Sequence, residues 1–475
     1  MLVSGLASGG QGIFALDITD PSQFSETNAA STVMWEFGDG DDPDFGYVIG
    51  PPVIRKMANG RWAAIVTGGY NNSQVLSGET ACTDSTTRTP AGCTTSSTGS
   101  AYLYIIFLEG PTGTNRTWIE GTDYIKIRAA RASDSTATPN GLTEPLAADI
   151  NGDGVPDFIY AGDLRGRLWK FDVRSTTASN WTLSTNQVVL YIAIDWLGNR
   201  QPITAKPEAT LHPTSGYVIS FGTGKYLEAA DPLGPYQAQA FYGIWDKNDG
   251  ATVSVQTTLT SGKSQLLQQT ITNVTVGTNT FRVVSNNVPN WSTDTSPPLA
   301  NDSPTKHMGW YMDFPSATTT GERSVFRPIL ISGRLIYTTL VPSTQACLFG
   351  GTSFLMVLDP ATGGRIDGAV LDSDANGALN ASDTVVIAGV NTYLSGVQST
   401  IGITPTPTIV RSASGSINNA GSASVILGTT QTSMATAGSQ LAYAISAGSS
   451  GANASTIVGL TSAGGRVSWR ELMSD

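Results

Sequence analysis

A short strand pattern recurs along the chain, in which an apolar run ends on an acidic residue and a turn. The five copies lie at residues 12–17, 102–109, 166–172, 241–246 and 354–359. Segments with the same β character lie just upstream of three of them, at residues 62–68, 217–222 and 334–339. No stretch has the apolar period of a long amphipathic helix. The chain is therefore expected to fold as repeated antiparallel units.

The arrangement of these units favours a β-propeller. Pro52, Pro145 and Pro328 each head a short apolar run, a position at which a strand tolerates the missing N–H. The units repeat at irregular intervals of roughly 60 to 110 residues, which suits four-stranded blades separated by inserted loops. A large β-sandwich is the alternative, but it does not explain the repeated strand. We expect an all-β, modified β-propeller with long loop insertions.

We expect one propeller domain over residues 1–475. Two stretches rich in Ser, Thr, Asn and Gly, about 71–100 and 250–305, are interpreted as surface excursions rather than blades. Residues 401–475 would supply the final blade. Residues 466–472 could then close the ring by pairing near Leu2, because closure removes exposed strand edges.

Charge and hydropathy exclude two classes of partner. The chain has 26 basic and 37 acidic residues, a net charge of -11, whereas nucleic-acid binding needs clustered Lys and Arg. No apolar run is long enough to span a bilayer. The first ten residues lack the basic and apolar regions of a signal peptide. The chain is thus either cytosolic or a fragment of a longer exported protein.

The cysteines favour the second alternative. Cys82 and Cys93 lie eleven positions apart in a polar loop with no companion metal ligands. A local disulfide stapling this loop is one interpretation, and it implies an oxidising compartment. Two ordinary thiols in a loop are the other. Cys347 is left over, either free or paired outside this chain.

Residues 149–157 have the oxygen spacing of a calcium loop. Asp149, Asn151 and Asp153 fill positions 1, 3 and 5, Val155 offers its carbonyl at position 7, and Asp157 fills position 9. A glycine at position 6 permits the sharp turn, but Tyr160 replaces the Glu of an EF-hand at position 12. Asp157 could coordinate directly, with water completing the shell. A hairpin loop whose side chains merely cap the turn is the alternative.

Residues 372–383 form a second candidate calcium loop, in which an acid is kept at position 12. Its six proposed ligands are Asp372, Asp374, Asn376, Ala378, Asn380 and Asp383. An Asp at position 12 is shorter than the usual Glu, and an acidic surface turn is the alternative. If only one loop is regulatory, we expect it to be the first. The acidic run at residues 39–44 lacks the spacing and is interpreted as a solvated turn.

Signals for enzyme chemistry are weak. The two histidines, His212 and His307, have no zinc-site spacing and are interpreted as structural or solvent-facing. No nucleophile elbow or phosphate loop is present, and the Ser303-x-x-Lys306 match is a short pattern inside a polar stretch. The chain is not expected to be an enzyme.

Taken together, a set of motifs resembles the C-terminal domain of the PilY-type type IV pilus biogenesis factors and tip adhesins. The resemblance extends from the first residues to the last. The motifs are GQGIFALDITDP (10–21), DFGYVIGPPV (44–53), GRW (60–62), GGYNN (68–72), the 149–157 loop continuing into YAGDLRG (160–166) and LWKFD (168–172), GWYMDFP (309–315), GER (321–323), GGTSF (350–354), DPATGG (359–364) and SWRE (468–471).

The resemblance implies a propeller, commonly seven-bladed, at the pilus tip or on the outer membrane. It implies a role in pilus extension against retraction, in twitching motility and in adhesion to surfaces or host cells. Calcium in the loop at residues 149–157 would regulate pilus extension against retraction. The implied partners are minor pilins of the tip complex and a surface or host-cell ligand. Some members carry an Arg-Gly-Asp tripeptide after the calcium loop, whereas this chain has Asp163-Leu-Arg-Gly-Arg167, so integrin recognition is not implied.

Two other functions are compatible with the strand pattern. A quinoprotein-like dehydrogenase shares the strand and the 359–363 turn, although neither an adjacent cysteine pair nor a set of quinone ligands is evident. An integrin-α-like ligand-binding propeller would use calcium only structurally.

Overall fold

The structure is a computed structural model, and it describes thirteen stretches of the chain. The predicted disulfide Cys82–Cys93, Cys347 and the closing segment 466–472 lie outside them. The described residues are 1–48, 50–68, 70, 72, 96–130, 139–183, 186–247, 262–291, 307–345, 350–374, 376, 378–411 and 439–461.

The described residues are almost entirely strands and turns, which confirms the all-β prediction. The α-helices among them are two single turns, α1 (Ala29–Thr32) and α2 (Ala317–Thr320). None of the described helices is apolar and long enough to cross a bilayer. The chain divides into two compact units, the first with the described residues of 1–193 and 202–207, the second with those of 194–201, 208–247 and 262–461. A single domain over residues 1–475, with ring closure, stays a prediction.

The first unit contains three antiparallel sheets whose strands are neighbours in chain order. The first is three-stranded and the other two have the four strands expected of a blade. The strands are β1 (Leu2–Gly5), β2 (Gly12–Leu16) and β3 (Val33–Gly38); β4 (Val53–Lys56), β5 (Trp62–Gly68), β6 (Ala101–Phe107) and β7 (Tyr124–Ala129); and β8 (Leu146–Ala148), β9 (Phe158–Gly162), β10 (Arg167–Asp172) and β11 (Gln187–Ile192).

The middle sheet of this unit is buried on both faces. All seven residues of β6 are buried, so its sequence is a continuous apolar run rather than an alternating one. Alternate side chains still point to opposite faces: Leu103 and Ile105 pack with Ile159 and Phe171, whereas Tyr104 packs with Phe37 on the other side. Burial of each such side chain contributes roughly 1.5–3 kcal/mol. The sheet that carries loop 149–157 is thereby fixed against its neighbour.

The second unit contains a five-stranded and a six-stranded sheet. The five-stranded order is β12 (Glu208–Leu211), β13 (Tyr217–Gly222), β14 (Ala240–Asp246), β18 (Gly309–Asp313) and β15 (Leu267–Gln269), with β15 parallel to β18. The six-stranded order is β16 (Ile271–Val276), β17 (Asn279–Val284), β26 (Gly396–Gln398), β23 (Phe354–Leu358), β20 (Arg334–Thr338) and β19 (Ile329–Ile331).

Three small sheets complete the second unit. They are β21 (Val341–Pro342) with β22 (Gly351–Thr352), β24 (Thr384–Ile387) with β25 (Val390–Tyr393), and β27 (Thr408–Arg411), β28 (Ser439–Ala447) and β29 (Asn453–Thr461).

The interpretation of residues 250–305 as a surface excursion is wrong for residues 262–291. These residues form β15, β16 and β17, which extend both large sheets, and Phe281, Val283 and Val284 are buried. The turn between β16 and β17 contains Gly277 at φ 60°, a left-handed conformation that favours glycine. The many Thr and Asn residues of this hairpin made its sequence resemble a polar loop, so its apolar residues were not recognised as strand positions.

The interpretation of residues 39–44 as a solvated turn is also wrong, because Asp42 and Asp44 are buried. Nζ of Lys126, on β7, lies 2.7 Å from Oδ1 of Asp42 and 2.5 Å from Oδ2 of Asp44. The hydroxyls of Tyr104 and Tyr124 donate to Asp42 over 3.2 and 3.1 Å. Burial opposes the charge of Lys126, but its bonds to the two carboxylates prevail and raise its pKa.

Candidate metal site

Loop 149–157 joins two paired strands of the first unit. Strand β8 ends at Ala148 and β9 begins at Phe158, so the loop fills the whole connection. The backbone N–H of Asp157 donates to the carbonyl of Ala148 over 2.8 Å, and the carbonyl of Asp157 accepts from Val173 over 3.1 Å. The loop therefore connects two strands, and Asp157 belongs to both the loop and the sheet.

Asp149 is the centre around which the loop turns. Its side chain is buried, and Oδ1 accepts the N–H groups of Gly152 and Asp153 over 2.7 and 3.2 Å. Oδ2 accepts from Gly154 over 2.8 Å. Gly152 and Gly154 have φ values of 81° and 87°, which a residue with a Cβ adopts only with strain. The glycines therefore allow consecutive N–H groups to point inward.

The other predicted ligands form successive local turns. Oδ1 of Asn151 accepts from Asp153 over 2.9 Å, and Oδ1 of Asp153 accepts from Val155 over 2.8 Å. Oδ2 of Asp157 accepts from Ile150 over 2.7 Å. Burial raises the pKa of Asp157, with the charges of Asp149 and Asp153 adding to it against these hydrogen bonds. A bound cation would offset that repulsion.

The donor chemistry of this loop fits a hard cation. Three carboxylates, the Asn151 amide oxygen and the Val155 carbonyl are the oxygen ligands that calcium takes in proteins. The three carboxylates do not meet at one point in the structure, however, because their oxygens do not all lie within 4.8 Å of one another. The fit of the first loop therefore rests on its ligand types and spacing.

The second loop brings its carboxylates together. Among the described residues, oxygens of Asp372, Asp374 and Asp383 lie within 4.8 Å of one another. Asp383 is fully buried at the start of β24, and its two oxygens accept from the N–H groups of Ser373 and Asn380, each over 2.8 Å. The acid at position 12, which distinguishes this loop in the sequence, thus anchors it.

The middle of the second loop is more exposed. Oδ1 of Asp374 accepts from Asn376 over 3.1 Å, and Oδ1 of Asn376 accepts from Ala378 over 2.8 Å. Burial acts against the charge of Asp374, but hydrogen bonds with Asn376, Asp372 and Ser382 lower its pKa. The carboxylate is therefore ionised at neutral pH, as a metal ligand must be.

Two arginines near the first loop were missed in the sequence. Arg174 follows the residue that pairs with Asp157, and it binds Asp172 through Nε and Nη2 over 3.0 and 2.6 Å. The Asp149 carboxylate opposes the lowering of the Arg55 pKa by burial. Arg55 lies on β4, far from the loop in sequence, and Arg174 lies just after β10. The spacing within the loop could therefore not indicate either arginine.

The chain is similar to known proteins over most of its length. The family model described as the PilY1 beta-propeller domain matches residues 1–87 and 95–282. The type IV pilus biogenesis factor PilY1 of Pseudomonas aeruginosa is 33% identical over 423 residues, 84% of this chain and 32% of that protein. A PilY1 homolog of Xylella fastidiosa is 34% identical over 378 residues, 78% of this chain and 22% of that protein.

A solved structure supports the same assignment. The crystal structure of the Pseudomonas aeruginosa PilY1 C-terminal domain matches with a TM-score of 0.63 and 30% sequence identity, covering 84% of this chain and 75% of that one. The chain spans about a third or less of the length of these two curated relatives. It belongs to the PilY1 β-propeller domain family.

Proposed function

We propose that this chain is a calcium-binding propeller domain of a pilus-tip protein that supports type IV pilus extension against retraction. The observation that carries the proposal is loop 149–157, an oxygen-rich connection between two strands of a PilY1-family sheet. The relatives named as type IV pilus biogenesis factors support the pilus assignment. No catalytic residue is assigned.

The loop residues would act by holding and orienting the ion. Asp149, Asn151, Asp153, Val155 and Asp157 would supply the oxygens, and calcium would offset the charge of the three carboxylates. Because the backbone of Asp157 pairs with both Ala148 and Val173, ordering its side chain would stiffen the β8–β9 connection. The second loop, with Asp372, Asp374 and Asp383, is proposed as a further calcium site in the other unit.

At the cell surface, the propeller would contact minor pilins at the pilus tip and a surface or host-cell ligand. Twitching motility and adhesion are the activities that this placement would serve. The position of an oxygen-ligand loop between two strands of a sheet supports regulation of a presented surface.

Titration calorimetry with calcium tests the binding part. We expect a dissociation constant of roughly 10⁻⁴ to 10⁻³ M, as in other extracellular modules. Asp153→Ala should remove one site and Asp374→Ala the other, whereas Asp20→Ala is the matched control. Asp20 is an exposed acid that caps a local turn through Ser22 and lies in neither loop. Heat that is unchanged in both loop variants would contradict the proposal.

The pilus part is tested in cells with the complete parent protein. We expect Asp153→Ala to reduce surface piliation and twitching, with normal behaviour in the Asp20→Ala strain. Purely structural calcium would instead give normal piliation in any Asp153→Ala strain whose protein remains folded by circular dichroism.

A further inference from the structure

The two histidines of the chain meet at one short segment of the second unit. His212 follows β12 and His307 precedes β18, 95 positions apart in the sequence. His212 contacts Trp291, and His307 contacts Asn290 and pairs with Trp291; these are the last described residues before the stretch 292–306. The segment is thus held from two sides by the only side chains whose ordinary pKa lies between pH 5 and 8.

His212 is enclosed by two tryptophans. Its ring stacks on Trp245 with centroids 3.9 Å apart and meets Trp291 edge-on at 4.3 Å. Nδ1 accepts the N–H of Thr214 over 3.1 Å, so the ring is neutral with its proton on Nε2. Within the described part of the chain, buried Nε2 has no hydrogen-bond partner. A second proton, on Nδ1, would remove the bond from Thr214 and bury a charge.

His307 holds the same segment through its backbone and its ring. Its N–H donates to the carbonyl of Asn290 over 2.8 Å, and its Nδ1 accepts the N–H of Asn290 over 2.9 Å. The second bond needs the lone pair of neutral Nδ1. Protonation would therefore replace an attraction by a contact between two donors.

We propose that His212 and His307 form an acid-sensitive latch, which holds Asn290 and Trp291 in place while both rings are neutral and releases them when the rings are protonated. The start of the segment has a separate anchor that does not titrate. Oε1 of Gln269 accepts from Asn287 over 3.1 Å, and Nε2 of Gln269 donates to the Asn287 carbonyl over 2.7 Å. Among the described residues, release is therefore confined to residues 288–291.

The charged surroundings favour the neutral form of the latch. Nζ of Lys247 lies 4.9 Å from the centroid of the Trp245 ring on which His212 stacks, and its charge opposes an imidazolium there. Burial first, and then Lys247, lower the pKa of His212 to about 4, and burial lowers that of His307. Among the described residues, no carboxylate contributes to either shift.

The size of the effect follows from the two protonation equilibria of His212. If the ring regains an ordinary pKa of about 6.5 on release, the ratio of open to closed segment rises by at most roughly 20-fold between pH 7 and pH 5. His307 acts in the same direction. The segment therefore opens more often at a pH between these two pKa values, at which the closed form of His212 is still mostly neutral.

Hydrogen exchange measured by mass spectrometry tests the latch on the full chain. The wild type is compared at pH 5 and pH 7 with His212→Phe/His307→Asn, which keeps an aromatic ring and an acceptor but does not titrate. Because residues 288–291 are identical in both proteins, their chemical exchange rates cancel at each pH. We expect exchange in this segment to be up to roughly 20-fold faster in the wild type at pH 5, with a smaller difference at pH 7.

Strand β6 is the internal control, since it is buried on both faces and lies in the other unit. Its exchange should not change between the two proteins. The proposal is overturned if the two proteins exchange equally at pH 5, or if β6 opens together with the segment. A carbon-detected titration of the two wild-type histidine rings avoids any folding defect of the variant, and ordinary midpoints near 6.5 for both would also overturn the latch.

Discussion

Arg282 and Glu322 form a bidentate ion pair in the second unit, with Nη1 and Nη2 2.6 and 2.7 Å from the two carboxylate oxygens. Both side chains are 2% exposed, and the guanidinium lies 3.4 Å from the centroid of the Phe354 ring. Nε of Arg282 also donates to Asn273 over 3.0 Å. The pair therefore ties β17 to the motif at residues 321–323, and its charges are satisfied only while both partners are present.

We expect Glu322→Ala to destabilise the fold by about 3–5 kcal/mol, because it leaves a buried, uncompensated guanidinium. Urea unfolding monitored by tryptophan fluorescence measures the change. The exposed pair Arg61–Glu109, 3.0 Å apart, is the matched control, and Glu109→Ala should cost less than about 1 kcal/mol. Equal losses in the two variants would show that burial of the first pair has no energetic consequence.

Lys126 supports the second prediction, because it separates two buried carboxylates in the first unit. Lys126→Met keeps most of the side-chain volume but leaves Asp42 and Asp44 without a cation, so we expect a loss of about 3–5 kcal/mol in urea. The added substitution Asp44→Asn should recover part of that loss by removing one charge. No recovery in the double variant would mean that repulsion between the carboxylates is not the cause.

Local patterns in the sequence sufficed for the repeated strands and for the first loop, although they missed strands β15, β16 and β17. The strand ending at Asp172 and the glycines of loop 149–157 act within a few residues, and their spacing is visible in the chain. The contacts that decide burial are not local. Lys126 is 84 residues from Asp42, and Arg282 is 40 residues from Glu322. No period or turn signal relates such residues.

The two calcium loops illustrate the same limit at the candidate site. Spacing identified both loops, but it could not show which carboxylates converge. Asp372, Asp374 and Asp383 come within 4.8 Å of one another, whereas the first loop directs Asp149 toward the N–H groups of three neighbours. Side-chain direction in a loop depends on backbone dihedrals and packing that the order of residues does not specify.

Gly154 gives a prediction that isolates backbone conformation from packing. A Cβ at this position would meet no atom within 4 Å, yet φ is +87°. We therefore expect Gly154→Ala to cost about 1–2 kcal/mol, the cost of a left-handed conformation with a side chain, and to weaken calcium binding at the first loop. Thermal unfolding and calorimetry provide the two measurements. Gly9→Ala, with equally open surroundings and no positive φ in that range, should change neither.

Asp157 gives a prediction in which the sign of the effect reverses with calcium. A raised carboxyl pKa means that the folded, metal-free protein binds a proton more readily than the unfolded chain. The stabilising contribution is complete below the ordinary carboxyl range near pH 4 and is lost as the pH rises through the raised pKa of Asp157. At neutral pH without calcium, Asp157→Asn should therefore unfold at the same temperature as the wild type or slightly above it.

With calcium in excess, the wild type should be stabilised, by about 2.7 kcal/mol at 100 times the dissociation constant, and the variant much less. Differential scanning calorimetry with a calcium chelator and with calcium, at pH 5 and pH 7, measures all four states. The calcium-dependent gain should shrink at pH 5, because protons and calcium compete for the same carboxylate. A gain that is the same in Asp157→Asn and in the wild type would assign the stabilising calcium to the loop at residues 372–383.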